Sequence, residues 1–248
     1  MTARKVMLVA GGSGSVGSAI AREAAAHGWA VAVHARTPAR CNALVAELAA
    51  STDAAAILGE VGVGNDAAAL VDATIARFGR LDAVVDCVAA GPAGGRITGL
   101  LPDTDPAIYG AFYDLSAAWF QRLAHAAYPH LAAQGGTLIA FISDAGRFAA
   151  PRQAIIGAAR AAVIGFVRNL AVEAARDGIR VHCLSPSFVA GSESARKMGS
   201  ERMAKAAARA GLGLPTAADI APMAVFLCGP GASRITGQVI SINGGLQA

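Results

Sequence analysis

Short apolar runs alternate with longer stretches of helical periodicity along the whole chain. The runs Val6–Ala10, Ala30–His34, Ala55–Glu60, Ala83–Ala89, Thr137–Ser143, Arg180–Ser185 and Gln238–Ile242 predict seven buried strands. Between and around them, helical patterns fill the segments near 16–27, 38–50, 65–78, 105–133, 152–177, 192–210 and 216–228. Strands separated by helices imply right-handed βαβ crossovers and a parallel sheet covered on both faces. A closed eight-stranded barrel is the rival architecture. The count of seven and a glycine-rich turn directly after the first strand favour the open, doubly wound α/β sheet. No Pro, Ser or charge run interrupts the pattern, so residues 1–248 read as a single domain.

Composition sharpens this picture. Hydrophobic residues make up 54% of the 248 and charged residues 15%, against roughly 25% charged in an ordinary soluble domain. Disorder is excluded. Lys and Arg number 21 against 17 Asp and Glu, a net charge of +4. No basic run or basic-aromatic stripe accompanies it, so nucleic acid is not an expected partner. No stretch approaches ~18 uninterrupted apolar residues, so no membrane span is expected, and MTARKVMLVAGG reads as a first strand rather than a leader. Cys41, Cys87, Cys183 and Cys228 are too far apart for a metal or redox motif. They fit buried thiols in a reducing, cytoplasmic compartment.

Gly11-Gly12-Ser13-Gly14-Ser15-Val16-Gly17 joins the first strand to the first helix, and Gly12, Gly14 and Gly17 spell GxGxxG. In that context glycines let the backbone turn tightly against a pyrophosphate, whose charge the helix N-terminus then holds. With this turn the chain resembles the short-chain dehydrogenase/reductase family. Ala10–Gly17 is similar to its TGxxxGxG turn, with Ala10 for Thr and Ser15 for the middle Gly. Gly178-Ile179-Arg180-Val181 with Ser185-Pro186-Ser187-Phe188-Val189 resembles GIRVN…SPGxV. Thr236-Gly237-Gln238 and Asn243-Gly244-Gly245 resemble TGQ…DGG. The resemblance covers essentially the whole chain. It implies a Rossmann fold and a nicotinamide dinucleotide held by Gly11, Ser13, Gly14, Ser15, Val16, Gly17, Arg36, Glu60, Val61, Val88, Ala89, Arg160, Pro186, Ser187 and Val189.

The second strand ends in His34-Ala35-Arg36-Thr37, without the carboxylate that would bind a ribose 2′-OH. The Arg36 guanidinium suits a 2′-phosphate, so the expected cofactor is NADP(H) rather than NAD(H). Glu60 stands where the family has an Asp near adenine. The family's NNAG has become Asp86-Cys87-Val88-Ala89.

The family's chemistry uses a Tyr that donates a proton, a Lys four residues later, a Ser about thirteen residues earlier and an Asn on the fourth helix. Ser143 takes the serine position, but the Tyr is Ile156, the Lys is Arg160 and the Asn is Asp114. Isoleucine has no proton to give, and a guanidinium is a poor acid. Substitute donors are Asp144, beside Ser143, then Asp114, Tyr109 and Tyr113, since a desolvated carboxyl can act as a general acid. The expected catalytic set is Ser143, Asp144, Asp114 and Arg160, with no metal.

A helical lid over the substrate is expected around 190–213. Residues 192–210 carry Arg196, Lys197, Arg202, Lys205 and Arg209 against Glu193 and Glu201, which would suit a small-molecule substrate on a phosphate-bearing acyl carrier. Long apolar helices imply a homo-oligomer, a tetramer or dimer. Three functions remain open: an NADP(H)-dependent oxidoreductase with a degenerate tetrad, a catalytically silent NADP(H)-binding partner or sensor, and a non-redox enzyme reusing the cleft.

Overall fold

The computed structural model describes residues 4–62, 64, 66–89 and 96–247. Strands β1 (Val6–Ala10), β2 (Ala30–Ala35), β3 (Ala54–Leu58), β4 (Ala83–Asp86), β5 (Thr137–Phe141), β6 (Arg180–Ser185) and β7 (Val239–Ser241) form one sheet in the order β3-β2-β1-β4-β5-β6-β7. Every neighbouring pair is parallel. The order reverses between β1 and β4, and in such sheets ligands bind beyond the carboxyl ends of the strands at that reversal.

Alternation along the strands builds two cores. Leu8 and Ala10 face one side, where α3 (Asp66–Phe78), α5 (Trp119–Ala132) and α6 (Ala154–Ala174) bury Leu70, Trp119, Phe120, Leu123, Val163 and Val167. Met7 and Val9 face the other, covered by α1 (Ser15–Ala26), α2 (Pro38–Leu48) and α9 (Ala217–Cys228). Alanines at 21, 24 and 25 of α1 and at 221 and 224 of α9 are buried in that layer. Small side chains there let the helices approach closely, which accounts for much of the alanine excess.

Most element ends fall within a few residues of the sequence expectation, and three of the differences have a physical reason. The fourth strand ends at Asp86 rather than Ala89 because the Asp86 carboxylate accepts the Val88 N–H at 3.1 Å, turning the backbone out of the ladder. The helical stretch 105–133 is not continuous. A 3₁₀ turn at Pro106–Ile108 leads into α4 (Tyr109–Tyr113), and a π turn at Asp114–Ala118 joins α4 to α5. The stretch 192–210 breaks at Gly199, whose φ of 84° interrupts the helix between α7 (Glu193–Met198) and α8 (Ser200–Arg209).

Extended by a 3₁₀ turn to Asp177, α6 is long and apolar enough by composition to cross a membrane, with mean hydropathy 1.6. Here its inner face, through Ala159, Val163, Ile164, Val167, Ala171 and Ala174, is buried in the domain. Its outer face exposes Ala158, Ala161, Ala162 and Val172, the last at 76%.

Candidate active site

At the carboxyl end of β1 the chain turns through Gly11, at φ 70°. A side chain there would meet the Cys87 carbonyl at 2.9 Å, and one at Gly17 would collide with the Gly11 carbonyl oxygen. Glycine is therefore required at both points for the turn to lie this close to β4 and to its own helix. Helix α1 starts at Gly14 with no side-chain cap and no acidic residue in its first turn. Its leading N–H groups are left to an anion, and Ser13, Ser15 and Val16 sit beside them. This backbone fits a dinucleotide pyrophosphate.

His34 braces the turn from below. The Gly11 N–H donates to His34 Nδ1 at 3.1 Å, so Nε2 carries the proton and donates to the Gly59 carbonyl at 3.1 Å. Burial first, and then the nearby Arg36 charge, push the imidazole below its ordinary pKa. This histidine ties the glycine turn to the loop after β3, where Glu60 is exposed and Val61 half-buried. Arg36 is exposed immediately beyond β2 and makes no hydrogen bond or ion pair among the described residues.

The floor between the halves is Asp86. Its Oδ1 accepts from the Val88 N–H and, at 3.3 Å, from the Trp119 indole. Burial raises its pKa to about 6, opposed by those donors and by the charge of Arg160. Val88 is half-buried and Ala89 exposed at the same edge. The Arg160 guanidinium donates to the carbonyls of Ser116 (3.2 Å) and Phe141 (3.5 Å). A π turn frees carbonyls from the i−4 ladder, and Ser116 lies within that turn. Desolvation lowers the Arg160 pKa, with Asp86 pulling the other way.

Ser143 caps the turn after β5, its hydroxyl accepting the Ala145 N–H at 3.4 Å. That turn presses on α6: a side chain at Gly146 would meet Arg160 Cβ at 2.7 Å. Ser143, Ile156 and Arg160 are thus held on neighbouring elements, as their spacing implies. Ile156 packs with Ile97, Phe112, Ala159 and Ile155 in a small apolar cluster. Asp144 is 1% exposed. Its Oδ1 accepts from Ser185 (2.5 Å) and Ser241 (3.2 Å), and its Oδ2 from the Asn243 amide (2.6 Å). Those bonds pin the serine turn to β6 and β7, a positioning arrangement rather than that of a free acid.

The other substitutes lie close together on α4 and at the start of the π turn, but each has different surroundings. Asp114 forms a bidentate pair with Arg122 (2.8 and 3.0 Å), which also donates to the Gly62 carbonyl at 2.6 Å. The Tyr109 hydroxyl is bonded to Thr104 Oγ1. Tyr113 packs edge-on against Phe112, at 6.4 Å between centroids, in the cluster around Ile156. Its hydroxyl has no partner among the described residues.

Beyond β6, Pro186 removes an N–H and ends pairing, and Ser187 takes a left-handed φ of 58°. Ser187, Phe188 and Val189 are half-buried. A cavity of about 200 Å³ between this segment and α8 includes Ser143, Gln153, Ser187, Phe188, Arg202, Lys205 and Arg209. Lys197 and Lys205 are already paired with Glu193 (2.8 Å) and Glu201 (2.6 Å). A larger cavity of about 480 Å³ lies at the opposite end, lined by Lys5, Thr137 and Arg180, away from the strand ends that face ligands.

Sequence reasoning missed His34 as a brace and Asp86 as a buried acid. Both carry a signal, a titratable residue in an otherwise apolar strand. The partners of Asp144 carry none.

The family model described as Enoyl-(Acyl carrier protein) reductase matches residues 10–247. Short-chain reductase protein NovJ of Streptomyces niveus is 32% identical, over 97% of this chain and 93% of its own length. The 3-oxoacyl-[acyl-carrier-protein] reductase of Synechocystis is 30% identical, over 98% and 96%. Among solved structures, a 7α-hydroxysteroid dehydrogenase complexed with NADH and 7-oxo glycochenodeoxycholic acid superposes with a TM-score of 0.89. Its identity is 25%, and the match covers 97% of this chain and 93% of that one.

Proposed function

The chain belongs to the short-chain dehydrogenase/reductase family of NAD(P)-dependent oxidoreductases, and from that premise we propose that it uses NADP(H) on a carbonyl or alcohol substrate held at Ser143. The observation that carries this reading is the uncapped, glycine-lined start of α1 with Arg36 beyond β2, which has no partner among the described residues. The first would hold the pyrophosphate and the second a 2′-phosphate. A bound nicotinamide would supply or accept the hydride. Ser143 would orient the carbonyl oxygen, with Asp144 fixing the serine turn. The Tyr113 hydroxyl, without a partner among the described residues and on a side chain packed against the residues around Ile156, is our candidate for delivering the proton.

Arg36→Ala should weaken NADPH by about 1–3 kcal/mol, the worth of a charge-assisted hydrogen bond, and leave NADH nearly unchanged. Equal losses in a fluorescence titration would overturn the NADP(H) assignment. The same titration followed by a carbonyl screen tests turnover, and Tyr113→Phe should then abolish it.

Ile156 favours a second reading, a silent NADP(H)-binding homologue, because an apolar cluster occupies the place of the proton donor. Tight NADPH binding with no turnover across many ketones would support it. We also read the exposed apolar face of α6, from Ala158 to Val172 in its last turn, as a contact between copies of this chain. Sedimentation at micromolar concentration should give a dimer or tetramer; a mass near the 24.8 kDa of one chain would exclude it.

A further inference from the structure

Three arginines from separate parts of the chain line one cavity. It measures about 370 Å³ and is lined by Arg96, Thr98, Gly99, Arg152 and Arg202. Arg96 comes from the loop after β4, Arg152 from the turn before α6, and Arg202 from α8 of the lid. No carboxylate lines it, and none of the three arginines forms an ion pair among the described residues. Asp103 flanks Gly99 near the Arg96 side chain but does not pair with it. Glu201, next to Arg202 in sequence, is committed to Lys205. An anion entering the cavity would therefore meet three arginines that have no ion-pair partner among the described residues.

The site is also built by the backbone. Arg152 sits at φ 69°, a left-handed conformation that L side chains rarely adopt, and its carbonyl accepts the Gly99 N–H at 2.9 Å. That bond ties the wall carrying Arg96 to the turn carrying Arg152. Arg202 belongs to both this cavity and the one containing Ser143, and its guanidinium lies 5.9 Å from the centre of the Phe188 ring. The anion cavity thus adjoins the place where the reacting carbonyl would be held. The cofactor's own phosphates belong elsewhere, at the start of α1 and at Arg36.

We propose that the substrate carries a carboxylate or phosphate remote from its reacting carbon, and that Arg96, Arg152 and Arg202 bind it while Ser143 holds the carbonyl. This rests on the reading of Ser143 above. Guanidinium forks match the oxygens of either anion, and because Arg202 is on the lid, binding the anion would also draw α8 onto the substrate.

The test is calorimetric and independent of turnover. A graded series of keto acids, their methyl esters and the corresponding phosphorylated ketones is titrated into the protein saturated with NADP⁺. The acids or the phosphates should bind about tenfold or more tighter than the esters, the equivalent of one charge-assisted hydrogen bond. Which arm leads identifies the anion. Arg152→Gln and Arg202→Gln should each erode that preference while NADP⁺ affinity stays unchanged. Equal binding of acids, phosphates and esters, or a preference untouched by both substitutions, overturns the proposal. If NADP⁺ itself fails to bind, the oxidoreductase reading falls. The comparison of charged with neutral ligands on the free protein still decides the anion site.

Discussion

The turn after β1 and the turn after β5 lie at the same end of the sheet, yet they are made of different things. The first works through backbone: uncapped N–H groups, a positive φ at Gly11 and the absence of a side chain at Gly17. The second works through side chains: Ser143 and the residues at 156 and 160 that should complete it. On our reading of the motifs, Ser15 in the first turn and Ile156 and Arg160 in the second stand where the family pattern has other residues. A backbone cradle tolerates a changed side chain so long as the steric demand is met. A proton relay has no such tolerance, because each role belongs to one functional group.

The sharpest way to break this contrast is to rebuild the second turn. Ile156→Tyr with Arg160→Lys places a hydroxyl and an ammonium on elements already held against Ser143 by the close contact of Gly146 with Arg160. Ketone reduction should rise by ~10²–10⁴-fold, the usual worth of a general acid, where the wild type has no working donor, and by less where Tyr113 already supplies the proton, as measured by NADPH consumption. No gain, in a variant that still binds NADPH, would mean that the Ser143 geometry has drifted too. The opposite damage belongs to the first turn. Gly17→Ala drives a Cβ into the Gly11 carbonyl, so NADPH affinity should fall by about 100-fold, or ~3 kcal/mol. An unchanged Kd would show that the cradle is not where the cofactor lies.

How far each turn could be read from sequence follows the same division. The strand interiors and the glycine cradle were legible, since burial on both faces demands apolar residues and a tight turn demands glycine. Strand ends were less so. Ala83–Ala89 looks uniformly apolar around Asp86, and only the capture of the Val88 N–H shows where pairing stops. The role of Asp144 was not legible at all. Its partners Ser185, Ser241 and Asn243 lie 41, 97 and 99 residues away and reach it only because β6 and β7 stack beside β5. The π turn likewise has no local signature; it shows itself through the Ser116 carbonyl that receives Arg160.

Asp86 joins the two turns and allows the smallest and most discriminating test. It closes the floor beside the cradle, while its charge acts on Arg160. Its pKa is raised from 3.8 to about 6 by burial, so the folded protein holds this proton more tightly than the unfolded chain does. The stabilisation is fully present below about pH 4 and is lost as pH rises through about 6. Asp86→Asn keeps an oxygen for the Val88 and Trp119 donors and removes the ionisation. Urea unfolding should therefore show the wild type losing stability relative to the variant between about pH 4 and 7. Above that range the variant should be the more stable by about 1–3 kcal/mol. Loss of the carboxylate beside Arg160 works against this gain, which is why the upper figure is a ceiling. Parallel curves would show that the attraction of Arg160 outweighs burial and that Asp86 is ionised throughout. In that case Arg160 is held by a buried counter-ion in the floor, and a lysine placed there should inherit the same anchor rather than swing toward a cofactor ribose.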